Sequence, residues 1–259
     1  MAEVAVAHTD ARRWFYHWMA LTCLAIAVLG FMPTFFVPVA QGTFAREPVV
    51  IMHGLVFFAW VVFFCWQTWL VAAGRPAAHR EWGLVGVALA TAMAFSVTTL
   101  EIIRMHHAQP LSSAPPQPPV AVLNQVLAIS FFEVCVVTGL ANVRRPEAHK
   151  RLVLLATISL LGAPIGRWWE MLFAAEFAAA GSASGPPDPI IFLLLMAPSL
   201  SASLLIVVAI VFDWRTRGRV SRVYSIGMPA FLLLGPLTAL IGFTPAWLAA
   251  AGWLKGFGG

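Results

Sequence analysis

Apolar residues in this chain run in long unbroken blocks, without the strict alternation of a half-buried strand or the single apolar stripe of a water-soluble helix. Blocks of roughly twenty residues or more lie near 14–36, 48–73, 83–104, 119–143, 151–174, 189–213 and 224–250. Each is long enough to cross a hydrocarbon layer about 30 Å thick at a rise of about 1.5 Å per residue. The polar residues between blocks are not scattered. Arg75-Pro76-Ala77-Ala78-His79-Arg80 recurs seventy positions later as Arg145-Pro146-Glu147-Ala148-His149-Lys150, and a third basic break, Arg215 to Arg222, starts after the same interval without the proline or histidine. This period predicts an all-α, polytopic membrane bundle of seven transmembrane helices in a single domain over 1–259. One N-terminal helix precedes three hairpins, at about 48–104, 119–174 and 189–250.

Composition supports the membrane reading: 60% of residues are hydrophobic, 10% are charged and eleven are Trp, and the mean hydropathy is +0.84. The first block leads through Gly30-Phe31-Met32-Pro33 into more apolar sequence with no small-residue cleavage site, so a retained helix is expected, not a signal peptide. The formal charge of +5 does not suggest nucleic acid, because the basic residues sit in short clusters between apolar blocks and no nucleic-acid motif accompanies them. Twelve of the sixteen Lys and Arg residues lie at alternate ends of the blocks, from Arg12 and Arg13 through Arg75, Arg80, Arg144, Arg145, Lys150 and Arg151 to Arg215, Arg217, Arg219 and Arg222. The positive-inside bias therefore predicts a cytoplasmic N-terminus and a C-terminus on the opposite side. Cys23, Cys65 and Cys135 fall inside apolar blocks without metal-type spacing and are expected to be small buried residues.

Ionisable groups at membrane depth are costly unless paired or facing a cavity, so each is a candidate for function. In the predicted topology His53 lies about a turn and a half, and Glu101 about one turn, below the outer boundary. Asn124 and Gln125 lie in the outer half of the fourth helix, Glu133 near the midplane, and Arg167 and Glu170 in the outer third of the fifth. The polar groups of four helices are thus expected to converge on the outer half. His53, Trp60 and Gln67 recur every seven residues; Thr98, Glu101 and Arg104 recur at i+3, as do Arg167 and Glu170. Pro164, after Gly162, predicts a bend just before Arg167. Two readings follow. In one, His53, Glu101, Gln125, Glu133, Arg167 and Glu170 form a ligand or proton site, with Arg167 holding an anion or tuning the carboxylates and Glu133 carrying a proton. In the other, Arg167 pairs with Glu101, Glu133 or Glu170 and locks the bundle.

The remaining histidines divide in the same way. His79 and His149 are expected as interfacial anchors beside lipid phosphate. Alternatively, with His17, they are axial ligands of a haem near the cytoplasmic face, and His53 with His106 or His107 forms an outer pair. A mononuclear metal on His53, Glu101 and Glu133 or Glu170 is not supported by any HExxH or paired ExxH motif, and no metal site is assigned. The last helix has no lysine for a retinal Schiff base, and neither a Walker A motif nor GxSxG occurs. Trp14, Trp18, Trp82, Trp168, Trp169 and Trp214 lie near block ends, as interfacial belt residues do.

Met52-His53-Gly54, Gln67 to Arg75 leading into His79-Arg80-Glu81-Trp82-Gly83, and Arg145 to Leu152 with Leu155-Ala156-Thr157 resemble a group of uncharacterised bacterial multi-pass membrane proteins, over roughly residues 48–170. The resemblance implies no particular activity. His-Gly near the start of one helix and His-x-x-x-Gly at the start of the next is more remotely similar to the cytochrome b561 type, which implies haem b on paired histidines of a four-helix core and electron exchange, with quinone as a partner. This chain departs from that pattern, since helices four to seven contain no histidine within their length. Two functions are carried forward: a binding, transport-associated or accessory-subunit role with a small-molecule ligand or a membrane-complex partner, and a haem b-binding membrane oxidoreductase.

Overall fold

Proline starts six of the helices. In the computed structural model, which describes residues 2–106, 119–182 and 188–256, helices open at Pro48, Pro76, Pro119, Pro146, Pro189 and Pro245. A missing N–H at the first helical position removes no intrahelical bond. The protein is 88% helical, and no strand occurs among the described residues. Seven helices are long and apolar enough to cross a membrane: Arg13–Ala40, Pro48–Ala72, Pro76–Met105, Pro119–Ala141, Pro146–Leu172, Pro189–Arg217 and Arg222–Gly242. The chain is a multi-pass membrane protein, and the apolar faces of these spans meet the lipid bilayer.

Span boundaries differ from the expected ones where the basic turns are concerned. The third span begins at Pro76 and the fifth at Pro146, because the Arg-Pro turn is itself the start of the helix, so His149 falls within the fifth helix, contrary to the expectation that helices four to seven hold no histidine. Arg75 (φ −111, ψ 54) and Arg145 (φ −116, ψ 76) have nearly the same conformation. The His79 N–H donates to the Arg75 carbonyl at 3.2 Å and the His149 N–H to the Arg145 carbonyl at 3.0 Å. The repeated sequence is therefore a repeated turn. The third basic break is built differently, with Gly218 at φ 67 closing the sixth span and the Ser221 hydroxyl accepting from the Val223 N–H at 3.3 Å. The last span stops at Gly242, short of the expected 250, and Pro245 starts a separate helix, Pro245–Gly256. The Trp247 indole of that helix donates to the Pro119 carbonyl at 2.9 Å, tying it to the start of the fourth span.

Six spans encircle the fifth. The order around the ring is first, second, third, fourth, seventh, sixth, closed by Phe15 of the first span stacked on Phe212 of the sixth with centroids 3.6 Å apart. The fifth touches the first, fourth, sixth and seventh, and Trp60 of the second reaches it by donating to the Thr157 hydroxyl at 3.2 Å. Half of its most apolar stretch is buried inside the bundle, against a third or less in every other span. This central span is also interrupted. Helix Pro146–Ser159 ends, a turn covers Leu160 and Leu161, and helix Gly162–Leu172 resumes. Pro164 has no N–H for the Leu160 carbonyl, which accounts for the break. Gly30 lets the first span approach there so closely that a Cβ at this position would collide with Pro164 backbone and ring.

Candidate functional site

Two groups of polar side chains occupy opposite ends of the bundle. The ends of the spans nearest Arg13, Pro76, Pro146, Arg217 and Arg222 form the basic end; those nearest Ala40, Pro48, Met105, Pro119, Leu172 and Gly242 form the far end.

At the far end, Glu101 is 4% exposed and accepts through Oε1 from Arg104 Nη1 at 3.2 Å, while its Oε2 is buried without a partner. His53 Nδ1 lies 3.3 Å from the Ser96 hydroxyl, and its ring packs on Phe57. Arg167 extends over the Phe31 ring, 5.1 Å from its centroid, and its nearest carboxylate is Glu170 at 3.9 Å. The charges of Arg104 and Arg167 both act on His53. Those acting on Arg167 are Glu170, Arg104 and Arg46. The structure thus brings His53, Arg104 and Arg167 into one electrostatic neighbourhood, with Glu101 attached through Arg104.

Two expected members do not join them. Gln125 is exposed, while its neighbour Asn124 turns to the seventh span and accepts from the Thr238 hydroxyl at 3.4 Å. Glu133 leaves Oε1 buried and unpartnered, and makes no ion pair among the described residues. The anticipated pairing of Arg167 with Glu101 or Glu133 is not made. Glu170, its one carboxylate neighbour among the described residues, has a side chain 53% exposed, so this contact is a rim interaction.

The basic end holds the interaction that sequence reasoning missed. Arg151, 1% exposed, donates from Nε to Asp213 Oδ2 at 2.8 Å and from Nη2 to Asp213 Oδ1, a bidentate pair between the fifth and sixth spans. Its Nη1 also donates to Glu147 Oε2 at 2.7 Å, and Glu147 accepts from Lys150 at 2.7 Å and forms an ion pair with Arg217 at the same distance. Lys150 lies over the Tyr16 ring at 4.9 Å. Tyr16 and Tyr224, the only two tyrosines of the chain, are buried beside each other and beside this pair. One signal was available: Asp213 is the sole acidic residue after Asp188, and it sits in an otherwise basic span end.

His79 and His149, the repeated histidines, meet edge to face with centroids 6.1 Å apart, and His149 Nδ1 lies 2.9 Å from the Gly139 carbonyl. His17 Nδ1 lies 3.3 Å from the Thr68 hydroxyl. Trp60 is level with Thr157. Gln67, seven residues further along the second span, is 6% exposed, and its amide has no partner for either Oε1 or Nε2 among the described residues. The His106 side chain and all of His107 lie outside the described residues. No group of three His, Cys, Asp or Glu suited to a metal ion occurs among the described residues. The three cysteines are buried and free.

No family model, curated protein or solved structure matches this chain.

Proposed function

We propose that this is a bacterial inner-membrane protein, with its basic end in the cytoplasm, that binds a ligand or handles a proton at the far-end site of His53, Glu101, Arg104 and Arg167. The observation that carries this reading is the unsatisfied state of the far-end charges. Arg167 finds no carboxylate within hydrogen-bond distance, and Glu101 keeps a buried oxygen free. The Arg167 side chain is 34% exposed and Glu101 keeps one oxygen on Arg104, so each charge is only partly satisfied, and an arrangement serving stability alone would be expected to pair these two directly, as Arg151 and Asp213 are paired. The resemblance to uncharacterised bacterial membrane proteins agrees with this setting and adds no activity to it.

Binding to the purified protein tests the proposal. A panel of solutes, and proton flux in proteoliposomes read by an enclosed pH-sensitive dye, should reveal a response that Arg167→Gln or Glu101→Gln removes while the protein remains folded. If neither variant alters any response, the far-end site is not functional.

Haem b with quinone as electron partner is the second reading, suggested by the meeting of His79 and His149. Axial histidines must stand on opposite faces of a flat macrocycle, whereas these rings touch at an aromatic-pair distance with no slot between them. As arranged, this pair does not fit a haem. A reduced-minus-oxidised visible spectrum with a pyridine haemochrome assay separates the readings: bands at one haem per chain would replace the ligand-site proposal with a redox one.

A further inference from the structure

We infer that the far-end site is an oxyanion site, in which the Arg167 guanidinium grips a carboxylate or phosphate with Arg104 and His53 beside it. This rests on the reading of the far-end group as functional, and it names the ligand chemistry.

Three observations carry it. First, Arg167 makes no hydrogen bond among the described residues, so the planar fork of five N–H donors remains available. Second, the guanidinium carbon of Arg167 lies over the face of the Phe31 ring, 5.1 Å from its centroid. A cation over an aromatic face is held in position without consuming its hydrogen-bond donors on an acceptor oxygen, which leaves them for a ligand. Third, guanidiniums outnumber carboxylates among the charges acting on Arg167. Arg167 is acted on by one carboxylate, the half-exposed Glu170, and by two further guanidiniums, Arg104 and Arg46. His53 is acted on by Arg104 and Arg167. Glu101 is engaged with Arg104 through Oε1. Such a field repels a metal cation or an ammonium group and favours an anion at partly desolvated depth.

The scaffold holds the fork in place. Arg167 follows Pro164 by three residues on the resumed helix Gly162–Leu172, and Phe31 follows Gly30, so the contact between Gly30 and Pro164 fixes both the cation and the ring beneath it. The oxyanion can come from water, as a small carboxylate or inorganic phosphate, or from the headgroup of an anionic lipid.

The test uses the full chain in an uncharged detergent. Sodium phosphate and sodium benzoate are titrated against sodium chloride at constant ionic strength, with thermal unfolding and calorimetry as readouts. The same titrations follow in nanodiscs of phosphatidylcholine with and without phosphatidylglycerol. Saturable binding of at least one oxyanion is expected, weakened at least tenfold by Arg167→Gln, less by Arg167→Lys, and unchanged by Arg222→Gln at the basic end. Loss of soluble-anion binding in the phosphatidylglycerol discs assigns the site to lipid phosphate; its persistence assigns it to an aqueous anion. Absence of saturable oxyanion binding in every medium, or binding indifferent to Arg167→Gln, overturns the inference. If Arg167→Gln fails to fold, Arg104→Gln and Arg167→Lys carry the same comparison. A neutral or cationic solute whose binding needs Glu101 or Arg167 refutes the oxyanion while leaving the far-end site standing. No ligand of any charge together with no proton flux refutes both.

Discussion

Asp213→Asn should be among the most damaging single substitutions in this protein. Asp213 is fully buried and its carboxylate takes two hydrogen bonds from Arg151, itself 1% exposed, across the contact between the central fifth span and the sixth. Removing one partner of a buried pair typically costs about 3–5 kcal/mol, because a charge is left uncompensated in a weakly polarisable interior. Glu147 still accepts from Arg151 Nη1, which places the expected loss near the lower end, about 3 kcal/mol. Replacing both members with apolar residues of similar volume, Arg151→Met with Asp213→Leu, removes the uncompensated charge and should recover most of the loss. Reversible unfolding in mixed micelles, following tryptophan fluorescence as denaturing detergent is added, measures both variants on one scale. A loss below about 1 kcal/mol for Asp213→Asn, or a double variant no more stable than the single, refutes the argument that this pair locks the bundle.

Gln67→Leu should raise stability by about 1 kcal/mol in the same assay, since the buried amide has no protein partner for either polar atom; a clear loss would mean that bound water or a ligand satisfies it. Trp60→Phe should cost about 1–2 kcal/mol through loss of the indole bond to Thr157 and of the edge-to-face contact with Phe132. Topology can be read from single cysteines in a background where Cys23, Cys65 and Cys135 are replaced. A membrane-impermeant maleimide applied to intact cells should label Gln41→Cys and spare Ser221→Cys, and the reverse pattern would invert the proposed orientation.

The seven spans were legible because block length and hydropathy are local properties of the chain. The Arg-Pro-x-x-His turns were legible because proline fixes its own backbone geometry. Facing was not. A span that is apolar all round carries no stripe to distinguish the lipid side from the protein side, and so Gln125 and Glu133 were assigned to a site from depth alone. His53, Trp60 and Gln67 fared better because polar and aromatic residues at a seven-residue spacing mark a face, and Trp60 and Gln67 are indeed buried on it. Asp213 escaped attention because it sits among Trp214, Arg215 and Arg217 at a span end, where a carboxylate reads as solvated. Its partner is sixty-two residues away in sequence, and the pairing exists only once the fifth span is placed in the centre of the ring.

The interruption of that central span gives its two halves different tasks. The basic-end half, Pro146–Ser159, is held by Arg151 to the sixth span, whereas the far-end half, Gly162–Leu172, is positioned by the approach of Gly30 to Pro164. Gly30→Ala therefore separates the two contributions. A Cβ at Gly30 meets the Pro164 carbonyl and ring, which belong to a helix start and cannot rotate aside, so the first span must withdraw. Overpacking of this kind costs about 1–3 kcal/mol, and the loss should appear in the unfolding assay. Withdrawal also carries Phe31 away from Arg167, so oxyanion affinity should fall by more than the roughly twofold change expected of a remote surface substitution. Asp213→Asn supplies the contrast, since it lowers stability at the opposite end and should leave anion affinity in the surviving folded protein unchanged. If Gly30→Ala destabilises the protein but leaves anion binding intact, the contact is packing alone and the guanidinium is oriented by something other than the ring beneath it.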